Sequence, residues 1–578
     1  MTYSRSFVMN KSIFPRGKSG FTQKVVRQLF THRYRLTHRS LFKMGGGESK
    51  PTVEAKLPEL GAERFRKYNF PFENIVMEGG GAKGIAYIGA VKVLEDAGIM
   101  KNIKRFAGTS AGAITAGFVA AGMSSGDVLD VMNKTDMPTV LLDGRSWMWK
   151  HVGALYDLLN NFGVYRGQSF LEWYGETLRQ HFEKKSAESE EMKELYHGLT
   201  GDINFAQLSE ALGVEFCTVA YNTQTKQENY FHVKTSPLLF LREAVRMSMS
   251  IPVVYQPYKV EDKETEPHWI DGGVCANFPV YCFDGWWLSM EEGCCFHSRL
   301  GETQDRETVR RAFLPAYSFE RFTPEGDEEE KKAKKKKTIG LLLYSEGDPE
   351  LYQDKFTDRV RNFTDQHQEL KKEAIKPDTE KRRTYDDNTK KMATLEKKQR
   401  ADLMRSLGLK TKLDEVKSLF PDAGKMRDCF NTKMTLEDVQ IITVNSDPDM
   451  SDEEKEKAFK DAFDSLFINF KGKLTKVTTE NIFDNWAPLT VATKDSLKSS
   501  FIRTPGELYA AYLDFVGKSK PIREDDVGRC VGIDVDYVGT GDFDMAPEDK
   551  TFLMMQGAIA TVAFLEEFIE KNGLKPEK

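Results

Sequence analysis

The sequence predicts an α/β fold: a three-layer core whose central, mostly parallel sheet lies between helices, with a charged, helix-rich insertion. Three stretches predict it. Ile75-Val-Met-Glu78 reads as a short buried strand running into a glycine loop and a helix. Ile103 to Ala107 is a second apolar run, followed by a Gly-x-Ser-x-Gly turn and a long series of small residues. Trp269-Ile270-Asp271 is a third, ending in Asp-Gly-Gly. Strand, sharp turn and helix in succession is the pattern of the crossover units that build parallel sheets. In an open sheet of this kind the strand ends line up on one edge.

The whole chain sets the bounds. At 578 residues it exceeds a single core, and its 40% hydrophobic and 30% charged residues describe a globular protein. A net charge of −5, no zinc-finger spacing and no RNA-binding aromatic signature argue against a nucleic-acid partner. The seven cysteines (Cys217, Cys275, Cys282, Cys294, Cys295, Cys429, Cys530) are odd in number and scattered, which favours a reducing compartment over a disulfide framework. No stretch reads as a membrane span. The longest uncharged window, Phe106 to Gly126, is rich in Gly, Ser, Thr and Ala and reads as a packed helix.

Residues 1–70 read as a basic N-terminal extension, disordered or targeting. The first 47 residues hold ten Lys and Arg and no acid. That composition fits a mitochondrial targeting peptide or an arm that holds the protein peripherally on a membrane. Alternatively, translation from Met44 would expose Gly45 in a Met-Gly-x-x-x-Ser pattern suited to N-myristoylation. The location expected is intracellular, either cytoplasmic or at a membrane surface.

The loop Gly79-Gly80-Gly81-Ala82-Lys83-Gly84 follows the first strand, and Ile85, Ile88, Val91 and Leu94 then mark one helix face that Gly98 ends. A nucleotide site has this layout but fails on spacing, because neither phosphate-binding glycine pattern is present. Consecutive glycines can instead aim several backbone N–H groups into one space, as an oxyanion hole requires. In the second turn, Gly108 and Gly112 flank Ser110. So sharp a turn would set a Cβ at either flank against neighbouring backbone, and it pushes the serine hydroxyl outward at the start of a helix.

Farther on, Phe170, Leu171, Trp173, Tyr174, Leu178 and Phe182 form a helical stripe, read as core in preference to the wall of an acyl pocket. Glu215 to Tyr221 is another strand, a turn leads to Glu228–Val233, and a helix is expected over 239–250. Asp271 with Gly272 and Gly273 reads alone as a tight turn. Together with the glycine loop and the serine turn it supplies a carboxylate at a strand end.

Taken in order, Gly79 to Gly84, Gly108-Thr-Ser110-Ala-Gly112 and Asp271-Gly272-Gly273 resemble the patatin-like phospholipase family. Arg246-Met-Ser-Met-Ser-Ile-Pro252 and Asn277-Phe-Pro279 resemble its linking text, and Asp542-Phe-Asp544 through Leu565 its closing helix. The resemblance implies a patatin-like core and a Ser-Asp dyad: Ser110 as nucleophile, Asp271 as its base, and the Gly79 to Gly84 backbone as oxyanion donor. It implies an acyl hydrolase acting on phospholipids or other acyl-ester lipids, with no cofactor and no metal. A lipid acyltransferase, an idle lipid-binding module, and a Ser-Asp-His triad using His297 are the alternatives.

The catalytic core is placed at 71–345. Before its last strand, Thr338 to Tyr344, an acidic block at 325–330 meets a basic block at 331–337, read as a solvated loop. Residues 346–480 read as a charged helical insertion whose protein partner the sequence does not name. Within it, Ser451-Asp-Glu-Glu454 is a capping-box start, while Asp447, Asp449 and Ser451 fail as a calcium loop. Residues 481–578 return to the core.

Overall fold

The computed structural model describes residues 54–143, 161–260, 267–301, 306–313, 318–345, 352–373, 376–390 and 522–577. The basic arm with Gly45 and the motifs at 447–454 lie outside them. A seven-stranded sheet organises the described residues. Its strands are β1 (Asn74–Met77), β2 (Arg105–Gly108), β4 (Glu215–Asn222), β5 (Gln227–Phe231), β7 (Trp269–Asp271), β8 (Thr338–Tyr344) and β9 (Cys530–Asp534). The order is β5-β4-β2-β1-β8-β9, with β7 also pairing β4. A separate two-stranded sheet joins β3 (Gly163–Tyr165) to β6 (Val253–Tyr255).

The strand pairs β1–β2, β1–β8, β2–β4 and β8–β9 are parallel. Alternation along β1 makes the layers: Ile75 and Met77 enter one apolar cluster with Phe106 and Leu341, while Val76 enters another with Ala107 and Leu342. A sheet buried on both faces must be covered on both, which gives the three layers. The first cluster also holds Phe170, Tyr174, Leu178 and Phe182 of the helix Gln168–Ser186, so that stripe is core.

Each of the first two strands feeds a helix. α1 (Ala86–Asp96) follows the glycine loop, which forms a 3₁₀ turn over Gly81–Ile85. α2 (Ala111–Ala120) begins directly after Ser110 and is buried along its whole length. α3 (Leu241–Ser248) is shorter than the 239–250 read from the sequence. Most of residues 325–337 are not a loop. Glu328–Lys336 is a helix, α4, with glutamates in its first turn and lysines in its last. That order of charge complements the helix dipole, which is why the two blocks wind together rather than remaining a loop.

Two elements read only in outline close the core. α5 (Gln353–Gln366), from the charged stretch, buries Phe356, Arg359 and Phe363. α6 (Pro547–Asn572) packs on the same cluster as α1, and its Phe568 lies 4.8 Å, ring to ring, from Phe72. Among the described residues α6 is the one helix long and apolar enough to cross a membrane, although the sequence reading found none, and 72% of its apolar window is buried inside the protein.

Candidate active site

Ser110 stands between β2 and α2 with φ 52° and ψ −120°, a backbone conformation that L-residues rarely adopt. The flanking glycines make the turn feasible. A Cβ on Gly108 would collide with the Gly112 backbone, and one on Gly112 with the Met77 carbonyl. Neighbours hold the turn: the Ser110 N–H donates to Ser248 Oγ at 3.0 Å, and Thr109 Oγ1 donates to the Ala276 carbonyl at 2.9 Å.

Asp271 arrives from the other side. β7 runs antiparallel to β4, with Asp271 opposite Ala220, so the carboxylate does not come from the end of a parallel strand as the sequence reading supposed. The antiparallel return still ends beside Ser110. Ser110 Oγ donates to Asp271 Oδ2 at 2.9 Å, the Gly273 N–H donates to Oδ1 at 2.6 Å, and the Asp271 N–H donates to the Ser250 carbonyl at 2.9 Å. Ser110 is 8% exposed and Asp271 4%. Burial pushes the Asp271 carboxyl up to about 7, and the Gly273 N–H, the Ser110 hydroxyl and the Arg246 charge offset only part of that rise.

The glycine loop lies against the serine: a Cβ on Gly79 would sit 3.2 Å from that of Ser110, and one on Gly84 3.1 Å from that of Ala111. The six residues read as oxyanion donors are not equivalent. The Gly79 N–H donates to the Asn277 carbonyl, that of Ala82 to Thr540 and that of Lys83 to Gly80. Gly84 lies within the 3₁₀ turn. Among the described residues Gly80 and Gly81 donate to no backbone carbonyl outside that turn, and both precede the point where it could satisfy them.

Several residues of this site were not singled out by sequence. Asn277 Nδ2 donates to Glu78 Oε1 at 3.0 Å and to the Gly79 carbonyl at 3.1 Å, while Glu78 Oε2 accepts the Leu343 N–H. From α3, Arg246 is buried and donates to Ser250 Oγ and to the carbonyls of Arg166 and Gln256. The signal for Arg246, Ser248 and Asn277 was present in the stretches that carried the resemblance, but Thr540 had none.

His297 is exposed on the turn His297–Gly301, and no histidine among the described residues hydrogen-bonds Ser110 or Asp271. No group of three His, Cys, Asp or Glu that could hold a metal occurs among them either. Two surface clefts, one between Phe182 and Leu199 and one around Arg105, Asp284 and Arg299, do not include the Ser110–Asp271 pair. A buried polar pair with rare backbone geometry marks the reactive position better than those open surfaces.

A serine on a strand-to-helix elbow, paired with a buried carboxylate beside a glycine loop in a three-layer α/β core, defines a patatin fold. Residues 75–284 match the family model for patatin-like phospholipase, and the chain carries a domain of that family. Among relatives, the uncharacterised protein YqhO of Bacillus subtilis is 30% identical over 211 residues, 36% of this chain and 65% of the relative. A probable lipid hydrolase, 463L, of Invertebrate iridescent virus 6 is 24% identical over 212 residues, 36% of this chain and 62% of that protein. The matched region thus spans less than two thirds of these relatives. Among solved structures, VipD from Legionella pneumophila is 14% identical with a TM-score of 0.32, covering 79% of this chain and 94% of that one. ExoU from Pseudomonas aeruginosa is 15% identical with a TM-score of 0.24, covering 78% and 87%. These two superpositions are too loose to carry an inference.

Proposed function

We propose that this chain is a lipid acyl hydrolase, a serine carboxylic-ester hydrolase of the phospholipase A or lysophospholipase type. The observation that carries the reading is the 2.9 Å hydrogen bond from Ser110 Oγ to the buried Asp271, with the glycine loop packed against Ser110 through Gly79. Ser110 Oγ attacks the ester carbonyl while its proton passes to Asp271 Oδ2. The carbonyl oxygen becomes an alkoxide, stabilised by the Gly80 and Gly81 N–H groups and by the N-terminus of α2. Collapse breaks the ester C–O bond, and Asp271 returns the proton to the departing alcohol. Water then attacks the acyl-serine with Asp271 again accepting a proton, the bond between Ser110 Oγ and the acyl carbon breaks, Asp271 returns the proton to Ser110 Oγ, and the free fatty acid leaves. The match to a patatin-like phospholipase model and the name of the viral relative support lipid as the substrate class.

Such a substrate lies in a membrane, and the ten positive charges of residues 1–47 offer peripheral attachment, each contributing about 1 kcal/mol near an anionic surface. In the full chain a fluorophosphonate should label Ser110, and Ser110→Ala should abolish both labelling and release of fatty acid from phospholipid vesicles. Undiminished release by Ser110→Ala would sink the reading. An added alcohol acceptor separates transfer from hydrolysis, because transfer yields a new ester instead of free acid.

A further inference from the structure

The glycine loop is not held by the matched domain alone. Beyond residue 284, the carbonyl of Thr540 accepts the Ala82 N–H at 2.9 Å. Gly81, at φ +56°, leaves no room for a Cβ because the same Thr540 carbonyl occupies that space. Thr540 lies within a tight turn from Gly539 to Asp542: the Asp542 N–H donates to the Gly539 carbonyl at 3.2 Å, and Asp542 Oδ2 accepts the Gly539 N–H at 2.8 Å. The conformation of this turn therefore fixes one side of the loop that presents Gly80 and Gly81.

The turn is gripped in its turn by the charged stretch. Lys381, on a helix over 380–390, donates to Asp542 Oδ1 at 2.8 Å, the oxygen that the turn does not use. Beside it Lys376 pairs with Asp536, and Thr379 Oγ1 donates to Asp549 Oδ1 at 2.7 Å. The Arg382 guanidinium lies 5.5 Å from the Tyr537 ring centroid, and the Tyr537 hydroxyl donates to the same Asp549 oxygen at 2.6 Å. Four side-chain links thus tie 376–382 to 536–549. The Lys381–Asp542 pair is 22% and 34% exposed, and a pair that open adds little to overall stability. Its geometric effect is larger, because one carboxylate joins the helix to the turn that carries Thr540.

We propose that Lys381 and Asp542 are positioning residues for the oxyanion donors: the charged stretch clamps the turn, the turn clamps Ala82, and Gly80 and Gly81 are thereby aimed at the alkoxide. This rests on the hydrolase reading of the loop. A small misplacement of donors is felt mainly in the transition state, where the charge to be stabilised develops, and little in substrate binding.

The test uses the full chain and a soluble p-nitrophenyl acyl ester. Lys381→Glu, which places like charge against Asp542, should lower kcat by about tenfold or more, with KM within about twofold and an unchanged melting temperature. Lys381→Arg should retain activity. Asp542→Asn keeps an acceptor for the Gly539 N–H while losing the charge, so it should fall between them, and it serves as the second variant if Lys381→Glu does not fold. The proposal is overturned if both Lys381→Glu and Asp542→Asn keep kcat near the wild-type value, if Lys381→Arg is as impaired as Lys381→Glu, or if the loss follows the melting temperature. A wild-type chain that neither hydrolyses the ester nor takes a fluorophosphonate on Ser110 would overturn the hydrolase reading as well. An active wild type indifferent to Lys381 and Asp542 overturns the positioning role alone.

Discussion

Asp271 and Asp284 are buried almost equally, at 4% and 6% exposed, yet the protein equips them for different work. Asp284 meets the Arg529 guanidinium with both oxygens at 2.7 Å, and Arg529 also holds Asp526. Burial raises the Asp284 carboxyl, and Arg529 opposes that rise. For Arg529, burial disfavours the charge, but Asp284 and Asp526 outweigh it. Burial raises both carboxyls, but Asp271 hydrogen-bonds a neutral hydroxyl and a backbone N–H rather than a guanidinium, and its carboxyl is carried to about 7. A buried carboxylate with a bidentate cation is a tie between segments. One without such a cation is free to take a proton, the role proposed above for Asp271.

The sharpest way to break this contrast is Asp271→Asn, which keeps the shape and an acceptor for the Gly273 N–H, but whose amide nitrogen cannot accept the serine proton. Ester turnover should fall on the order of 10³-fold or more while the circular-dichroism spectrum is unchanged. The same variant should change stability in a defined direction. Because the folded carboxyl at about 7 lies above its ordinary 3.8, the folded state holds more protons than the unfolded state between those values. Wild-type stability therefore declines as pH rises through that window. Asp271→Asn should be the more stable protein in denaturant at pH 8, by about 1.4 kcal/mol per unit of the shift at most, with the difference vanishing below pH 4.

Breaking the other member should do the reverse. Arg529→Met leaves Asp284 and Asp526 buried without their cation and should cost about 3–5 kcal/mol in chemical denaturation, while activity per folded molecule is retained. A cost below about 1 kcal/mol would mean that the tie contributes little. A smaller effect sharpens the description of the base. The acid limb of kcat/KM should have an apparent pKa near 7, and Arg246→Gln, which removes a charge that favours the ionised carboxylate, should move that limb upward by several tenths of a unit. The smallest effect is expected at His297. His297→Ala should leave kcat/KM within about twofold, and a loss on the order of 10³-fold would restore the triad alternative.

Legibility in the sequence followed the range of the forces involved. The strands at 74, 105, 215, 269 and 338 could be read because apolar runs bounded by glycine report a local constraint, and Gly108-x-Ser110-x-Gly112 could be read because each glycine answers a collision within the same turn or with the adjacent strand. β9 went unread: Cys530-Val-Gly-Ile-Asp534 is five residues long, and its pairing with β8 is specified by position in the sheet rather than by its own periodicity. The donor role expected of the glycine loop could be read only as a group of six. Which N–H groups remain for a ligand depends on Asn277 and Thr540, whose backbone carbonyls leave no mark on side-chain pattern. At 325–337 composition was legible but conformation was misread, because opposed charge blocks suit a helix whose dipole they match as well as they suit a loop.

Because β9, the Thr540 turn and α6 come from the last tenth of the chain, the order of synthesis bears on the site. When the ribosome has made residues 1–300, Ser110, Asp271 and the glycine loop already exist as covalent structure, but the Ala82 N–H has no Thr540 to hold it and α1 has no α6 to cover it. Domains that draw their first and final segments into one core complete that core only after the C-terminal segment is released. Ser110 is thus built early and its surroundings late, so a chain truncated between residues 300 and 540 would carry the glycine loop, the serine turn and Asp271 but lack the finished loop.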